Sequence, residues 1–418
     1  MNPLTYDELR TAVAGEGVAL RSIIEMQPAG GRGDRVYPAT YSADGGRTKY
    51  AVEGPSRDAD DEYARVLLDS VASQANRLEH ALENAWDAGE LEFPVAFVDF
   101  RGYESVRDLD RISVLRAPHR IADALFRDSL LDGTLFRLSD VGRAITDARP
   151  DNATSMFRYA PTCLLFGVWD STGPKGGLGS KFQRAIVSEI VGHDVKLAVK
   201  VGSRIDPAAI ERDAAEIYKA ADPAEVWTLE PNQAKQEKGR PVLVGKPPDQ
   251  GRPSQINHGN HRPFIDGQAG GVLIDHATQT LVLSLAALRK LRFTHDAAGS
   301  PLDGQRRREA EVAARTAVAA LGVAAAALQV ENDYDLRSRC LLLPQGRPTL
   351  EVLGRDGSTV GTYSLDSSTV GGLVAEAAER AAQTRIGWHQ EEIRLEPAPK
   401  LVKLIELSRE LNVELGAE

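Results

Sequence analysis

Cysteine, methionine and aromatic side chains are scarce in this chain. Of 418 residues, two are Cys, three are Met and 6% are Phe, Trp or Tyr. Two cysteines, Cys163 and Cys340, cannot staple a disulfide scaffold of this size. Both lie in apolar runs and read as buried free thiols of a reducing, cytoplasmic setting. A secretory leader is also missing: Thr5-Tyr-Asp-Glu8 reads instead as a capping box for a short helix ending at Gly15. The longest apolar stretch, Thr316–Val330, is alanine-rich and too short to span a bilayer, which predicts a buried helix and no membrane partner. A net charge of −10 excludes a surface coated in basic charge for duplex DNA. It leaves room for a local basic groove on an acidic body.

Familiar catalytic signatures are absent as well. No register supplies the Gly-x-x-x-x-Gly-Lys-Ser/Thr of a P-loop, and Gly177-Leu-Gly179 lacks the third glycine of a dinucleotide fingerprint. There is no Gly-x-Ser-x-Gly elbow. His258-Gly-Asn-His261 offers two histidines without the one or two further ligands a metal site needs. No metal and no cofactor are therefore expected. With Arg252, Asn257, Asn260 and Arg262, these histidines could instead touch RNA.

What is present is a basic, glycine-rich segment, Asp170-Ser-Thr-Gly-Pro-Lys-Gly-Gly-Leu-Gly-Ser-Lys-Phe-Gln-Arg184. Glycines let a backbone approach a ligand closely, and successive free N–H groups form an anion-binding concavity. Lys175, Lys181 and Arg184 supply charge for phosphates, Gly176 and Gly177 the close approach, and Phe182 a ring for a base. Residues 171–205 carry six Lys or Arg against two Asp or Glu. Composition alone leaves a plain surface turn equally open.

The second signal lies on a helix. Leu67, Val71, Ala75, Leu78 and Leu82 form an apolar stripe at helical spacing. Ser70, Gln74 and Arg77 share another face, with Ser73 and Asn76 beside them. Hydroxyl, amide and guanidinium groups together suit phosphate and sugar contacts. A polar face packed against a neighbouring loop fits as well. Arg120 and Arg127 lie seven apart on a third predicted helix, where Arg127 could bind or simply pair with Asp123.

The periodicity predicts a mixed α+β chain. Strands are expected at Val18–Met26, Pro94–Phe100, Thr162–Trp169, Arg339–Leu343 and Thr349–Leu353, and a half-exposed strand at Lys196–Val201. A hairpin is expected between Arg35 and Tyr50. Helices are expected from the acidic run Asp58–Glu62 to Trp86, at Ala117–Leu131, from Asp206-Pro207 to Ala220, and at Leu281–Phe293, Gln305–Val330 and Ser367–Thr384. Pro231–Gly271 reads as a long polar loop. No repeat and no clean linker divide the chain, so residues 1–418 are expected to form one domain with insertions at 30–57, 135–160 and 230–271.

Three segments carry a resemblance. Leu68-Asp-Ser-Val-Ala-Ser-Gln-Ala-Asn-Arg77, Leu165–Arg184 and Leu283-Ser-Leu-Ala-Ala-Leu-Arg-Lys-Leu-Arg-Phe293 resemble the GSU-type backbone subunit of type I-G (formerly I-U) CRISPR effector complexes. The resemblance implies a RAMP-superfamily fold, an RRM/ferredoxin-like palm with finger and thumb insertions. It implies a non-catalytic Cascade-type scaffold, several copies of which line up along a CRISPR guide RNA beside other effector subunits. Target DNA is then read through the guide. The typical RRM aromatic signature is missing from the obvious strands. RNA-binding residues expected on this reading are Ser70, Ser73, Gln74, Asn76, Arg77, Arg127, Lys175, Gly176, Gly177, Lys181, Phe182, Arg184, His258 and Asn260. The alternative is a RAMP-type RNA endonuclease acting on guide precursor or target RNA, with Asp34 as its loop carboxylate. A small-molecule phosphate enzyme would rest on the glycine segment alone.

Overall fold

The computed structural model describes residues 1–42, 48–55, 62–171, 179–222 and 224–416. They fall into two compact units. The first holds 1–41, 50–196 and 272–401; the second holds 42–49, 197–271 and 402–418.

The elements of the first unit that position the site are, in chain order, α1 (Tyr6–Thr11), β1 (Ala19–Pro28), β2 (Glu62–Asp69), α2 (Val71–Asp87), β3 (Ala96–Asp99), α3 (Thr162–Phe166), β4 (Val168–Trp169), β5 (Lys181–Phe182), β6 (Ile186–Leu197), β7 (His276–Ser284), α4 (Gly304–Glu331), β8 (Leu341–Pro344), β9 (Thr349–Leu353), α5 (Ser367–Gln383) and β10 (Ile393–Pro397). The Thr5 capping box forms: Glu8 N–H donates to Thr5 Oγ1, and Thr5 N–H donates to Glu8 at 2.9 Å.

The fold is α+β around an antiparallel sheet. β1 pairs with β7 on one side and with β8 and β9 on the other, and β6 pairs with β7. α2 lies between β1 and β6 in sequence, and α4 between β7 and β8. The connectivity is therefore βαββαβ with the last strands beside the first, the ferredoxin-like order. β2 adds an outer strand against β6.

Alternation decides which sheet face is inside. Leu20, Ile24 and Met26 of β1 are buried, as are Ile186 and Ile190 of β6 and Ala277, Leu281 and Leu283 of β7. Ile23 and Val187, at the intervening positions, stay exposed. α4 packs on the inner face and is buried nearly all round, which explains its run of alanines. A Cβ at Gly322 would lie 2.8 Å from Leu283 Cδ2, so helix and strand approach closely there. By length and composition α4 could cross a membrane, with mean hydropathy 1.5 over its best window, but 89% of that window is buried inside the protein. A smaller sheet runs β3 parallel to β10.

Several predicted elements change type. Glu62–Asp69 is a strand, and the helix begins only at Val71, capped by Ser70. Val66 and Leu68 alternate inward there, which overrides the acidic helix-start signal. Thr162–Phe166 is a helix; a uniformly apolar run has no period to separate helix from strand. The strand β7 runs to Ser284, leaving only Leu285–Leu288 helical in the segment read as a helix. Within Ala117–Leu131 the helix is confined to Ala124–Arg127, after a single 3-10 turn. The stretch from Asp206 to Ala220 is not helical; the Asp206 carboxylate folds back to accept Ala208 N–H at 2.9 Å and Gly259 N–H at 2.7 Å.

In the second unit, Lys200–Arg204 pairs antiparallel with His261–Asp266. Short two-residue ladders, Tyr218–Lys219 with Trp227–Thr228 and Gln236–Glu237 with Arg240–Pro241, organise the stretch between them.

Candidate nucleic-acid interface

The glycine segment stands on a fixed base. α3 ends at Gly167, whose φ is +81° and whose added Cβ would lie 2.9 Å from Arg184 N. Only glycine suits that position. β4 then pairs with β5, matching Trp169 to Lys181 and Val168 to Phe182. Asp170 N–H donates to Ser180 O at 2.9 Å, and the buried Asp170 carboxylate is ion-paired with Arg137. A Cβ on Gly179 would meet Asp170 O at 2.6 Å, a second position that admits only glycine. Lys175, Gly176 and Gly177 lie outside the described residues.

Hairpin alternation sorts the side chains. Val168 and Phe182 point inward, and Phe182 is only 4% exposed. Phe182 is therefore a core anchor in this conformation and not the ring offered to a base. The exposed aromatic is Trp169, 57% accessible, with Lys181 Nζ 5.0 Å from its ring centroid. Cross-strand partners share a face, so Trp169 goes out with Lys181 and Phe182 goes in with Val168, a register that the sequence alone does not show.

Behind the hairpin, Arg120 pairs with Glu79, and Arg184 lies within the field of the same carboxylate. Arg120 donates to both Glu79 oxygens at 2.6 and 2.8 Å and to Gly167 O at 3.1 Å. Burial raises the Glu79 pKa above its ordinary value, against the pull of Arg120 and Arg184. Half-buried Arg184 has only long bonds, 3.4 Å to Phe166 O and 3.5 Å to Val71 O. Burial, then Arg120, lowers its pKa. An arginine keeps its charge through such shifts. One carboxylate facing two cations leaves a local positive surplus where the hairpin meets the first turn of α2.

The polar face of α2 is mostly turned inward. Asp69, fully buried at its side chain, accepts from Ser73 Oγ at 2.7 Å, Gln74 Nε2 at 2.6 Å and Arg77 Nε at 2.9 Å, and pairs with Arg337 at 3.3 Å. Ser70 Oγ accepts the Ser73 N–H as the helix N-cap. Gln74 is a core hub: its Oε1 accepts from Ser188 Oγ at 2.8 Å, Gln279 Nε2 at 2.8 Å and Gln329 Nε2 at 3.0 Å. Tyr334 OH closes the network on Gln279 Oε1 at 2.7 Å. Packing against neighbours thus describes Ser70, Ser73 and Gln74. The outward remainder is Asn76 and Arg77, which with His80, Asn84, Arg116 and Asn332 line a cleft of 560 Å³. Arg77 also donates to Leu336 O at 2.8 Å.

Arg127 pairs with Asp128 at 2.5 Å rather than with Asp123, and Lys400 holds the same Asp128 at 2.8 Å. Asp170 also raises the Arg127 pKa, behind Asp128 and Asp123, so the residue lies on the hairpin's electrostatic neighbourhood. His258 and Asn260 belong to the second unit. There Asn260 Oδ1 accepts Asp206 N–H at 2.8 Å, and His258 Nδ1 lies 3.5 Å from Asp206. Both brace the Asp206 turn. Asp34 sits in the turn after β1, where its N–H donates to Gly31 O at 3.1 Å and Gly33 N–H donates to Ile274 O at 2.9 Å.

Residues 20–197 match the family model described as CRISPR-associated protein GSU0053. That span runs from β1 through β6 and contains α2, the hairpin and the Arg120–Glu79–Arg184 cluster. No curated protein matches the chain. The family match supports a CRISPR-associated role.

Proposed function

We propose that this chain is a non-catalytic, cytoplasmic scaffold subunit of a type I CRISPR effector complex, the backbone subunit of a type I-G assembly. Copies of it hold successive stretches of the guide RNA beside other effector subunits, and target DNA is recognised through the guide. The observation that carries this reading is the β4–β5 hairpin: an exposed indole with a lysine over it, mounted on a glycine segment beside an arginine surplus. Stacking platforms flanked by cations suit single-stranded nucleic acid of any sequence. The matched family and the ferredoxin-like palm support the same assignment. Lys175, Lys181 and Arg184 meet phosphates, Trp169 takes a base face, and Asn76 and Arg77 offer polar contacts along the cleft.

Guide-RNA binding over a salt series tests this. Replacing Lys175, Lys181 and Arg184 with alanine removes three phosphate contacts. The slope of log K against log salt then falls by about 2, at about 0.7 per contact. An unchanged slope in the folded variant removes the hairpin from the interface. Incubation with precursor and target RNA in Mg²⁺ addresses the endonuclease alternative. Intact RNA is expected; cleavage lost in Asp34→Ala would replace the scaffold reading with a nuclease.

A further inference from the structure

Two mirrored dipeptides meet at the end of the β6–β7 ladder. His193-Asp194 ends one arm and Asp275-His276 begins the other, with His193 directly opposite His276 in the antiparallel register. Pairing of that kind brings donors that are distant in sequence to one spot, which no sequence motif announces. Ligand atoms of Asp194, Asp275 and His276 all lie within 4.8 Å of one another. Both imidazoles lie on the solvent side of the sheet, since Gly192 and Ala277 beside them face inward.

The neighbouring imidazole is an independent observation. His193 stacks on His276, centroids 4.6 Å apart and planes 13° from parallel. Its Nε2 is buried and has no hydrogen-bond partner among the described residues. A buried nitrogen left unpaired is costly, and such groups in native proteins call for an unseen partner. Arg32 lies 3.4 Å from Asp275 and is itself 60% exposed, and Arg65 sits opposite His193 in the neighbouring ladder. An exposed arginine is easily displaced from a surface pair.

We propose that Asp194, Asp275 and His276 bind a divalent transition cation, with His193 turning in as a fourth donor. Mixed imidazole and carboxylate ligands favour zinc, manganese, cobalt or nickel over magnesium, which prefers an all-oxygen octahedron. His276 Nδ1 lies 3.0 Å from Asp275 Oδ2, so a cation held by both would take the place of the proton between them. The ion would join β6 to β7 beside the turn that carries Arg32 and Asp34, through which Gly33 N–H already reaches Ile274 O. Its role is a clamp on that end of the palm. This does not depend on RNA binding.

Calorimetric titration of Zn²⁺ or Mn²⁺ into the tag-free, chelator-stripped full chain tests the site. One equivalent is expected to bind. Asp194→Asn and Asp275→Asn each weaken it at least tenfold, His193→Ala about tenfold, and His258→Ala leaves it unchanged. Asp194 is exposed, so its variant folds normally, and a melting curve checks each protein. No saturable binding by the stripped wild-type chain overturns the proposal. Binding that survives Asp194→Asn and Asp275→Asn, or that is lost in His258→Ala, places the ion elsewhere and also overturns it.

Discussion

Arg120 and Glu79 form a two-pronged ion pair in which both side chains are nearly out of water, 11% and 3% exposed. A buried pair is weak support for stability, but halving one is expensive because the remaining charge is stranded. Arg120→Ala is expected to cost about 3–5 kcal/mol in chemical denaturation. The pH dependence has a definite sign. Burial already holds the Glu79 pKa above its unfolded value, so its contribution is greatest at low pH and declines as pH rises through the folded value. Without Arg120 that pKa rises further. The gap between wild type and variant should therefore be smaller near pH 4 than near pH 8; a pH-independent gap would reject this account.

Trp169 and Phe182 should separate binding from folding. Trp169→Ala is expected to weaken guide-RNA binding by about 1–3 kcal/mol, with an unchanged melting temperature. Phe182→Ala should instead lower stability by about 3–5 kcal/mol, as expected for a buried ring. Fluorescence anisotropy with a labelled guide and a parallel thermal melt measure both. A Phe182 variant that melts normally and binds poorly would return the stacking role to Phe182.

Gln74→Ala removes the acceptor shared by Ser188, Gln279 and Gln329. Each buried donor left unsatisfied costs about 1–3 kcal/mol, and relaxation of the cavity moderates the sum. A loss of at least about 2 kcal/mol in urea is expected, with RNA affinity per folded molecule intact. Equal stability with weakened binding would put Gln74 back at the interface.

Asp99 sets an acid limit on the smaller sheet. It accepts from Arg101 Nε at 2.9 Å and Arg101 Nη2 at 2.7 Å and pairs with Arg394 at 3.0 Å. The Arg101 hydrogen bonds hold its pKa down at about 2. A depressed carboxylate stabilises above its unfolded value and loses that contribution as pH falls towards the folded one. Asp99→Asn should cost about 1–2 kcal/mol at pH 7 and nearly nothing at pH 2. Melting curves across that range decide.

The α+β class, β1, α5 and the paired strands near residue 350 were legible because their patterns have one clean period, and α4 because its alanine-rich apolar run is too long for a strand. Glu62–Asp69 was not, since acidic residues suit both a helix start and an edge strand. Thr162–Phe166 was not, because a wholly buried run hides its period. The α2 face was found in sequence, but residue types alone do not say whether a polar stripe meets solvent or a buried Asp69. Trp169 and the His–Asp pairs depend on which residue sits across a ladder, and that register is a tertiary fact.

The Gln74 hub draws one side chain each from α2, β6, β7, α4 and the segment carrying Tyr334. Such a junction acts as a combination lock on assembly. The alanine surface of α4 is smooth and nearly self-similar, so apolar contact alone would tolerate sliding. A slide of one turn would carry Gln329 about 5.4 Å from Gln279, stranding several amides at once. The polar lock therefore indexes a helix that its own hydrophobic packing leaves ambiguous.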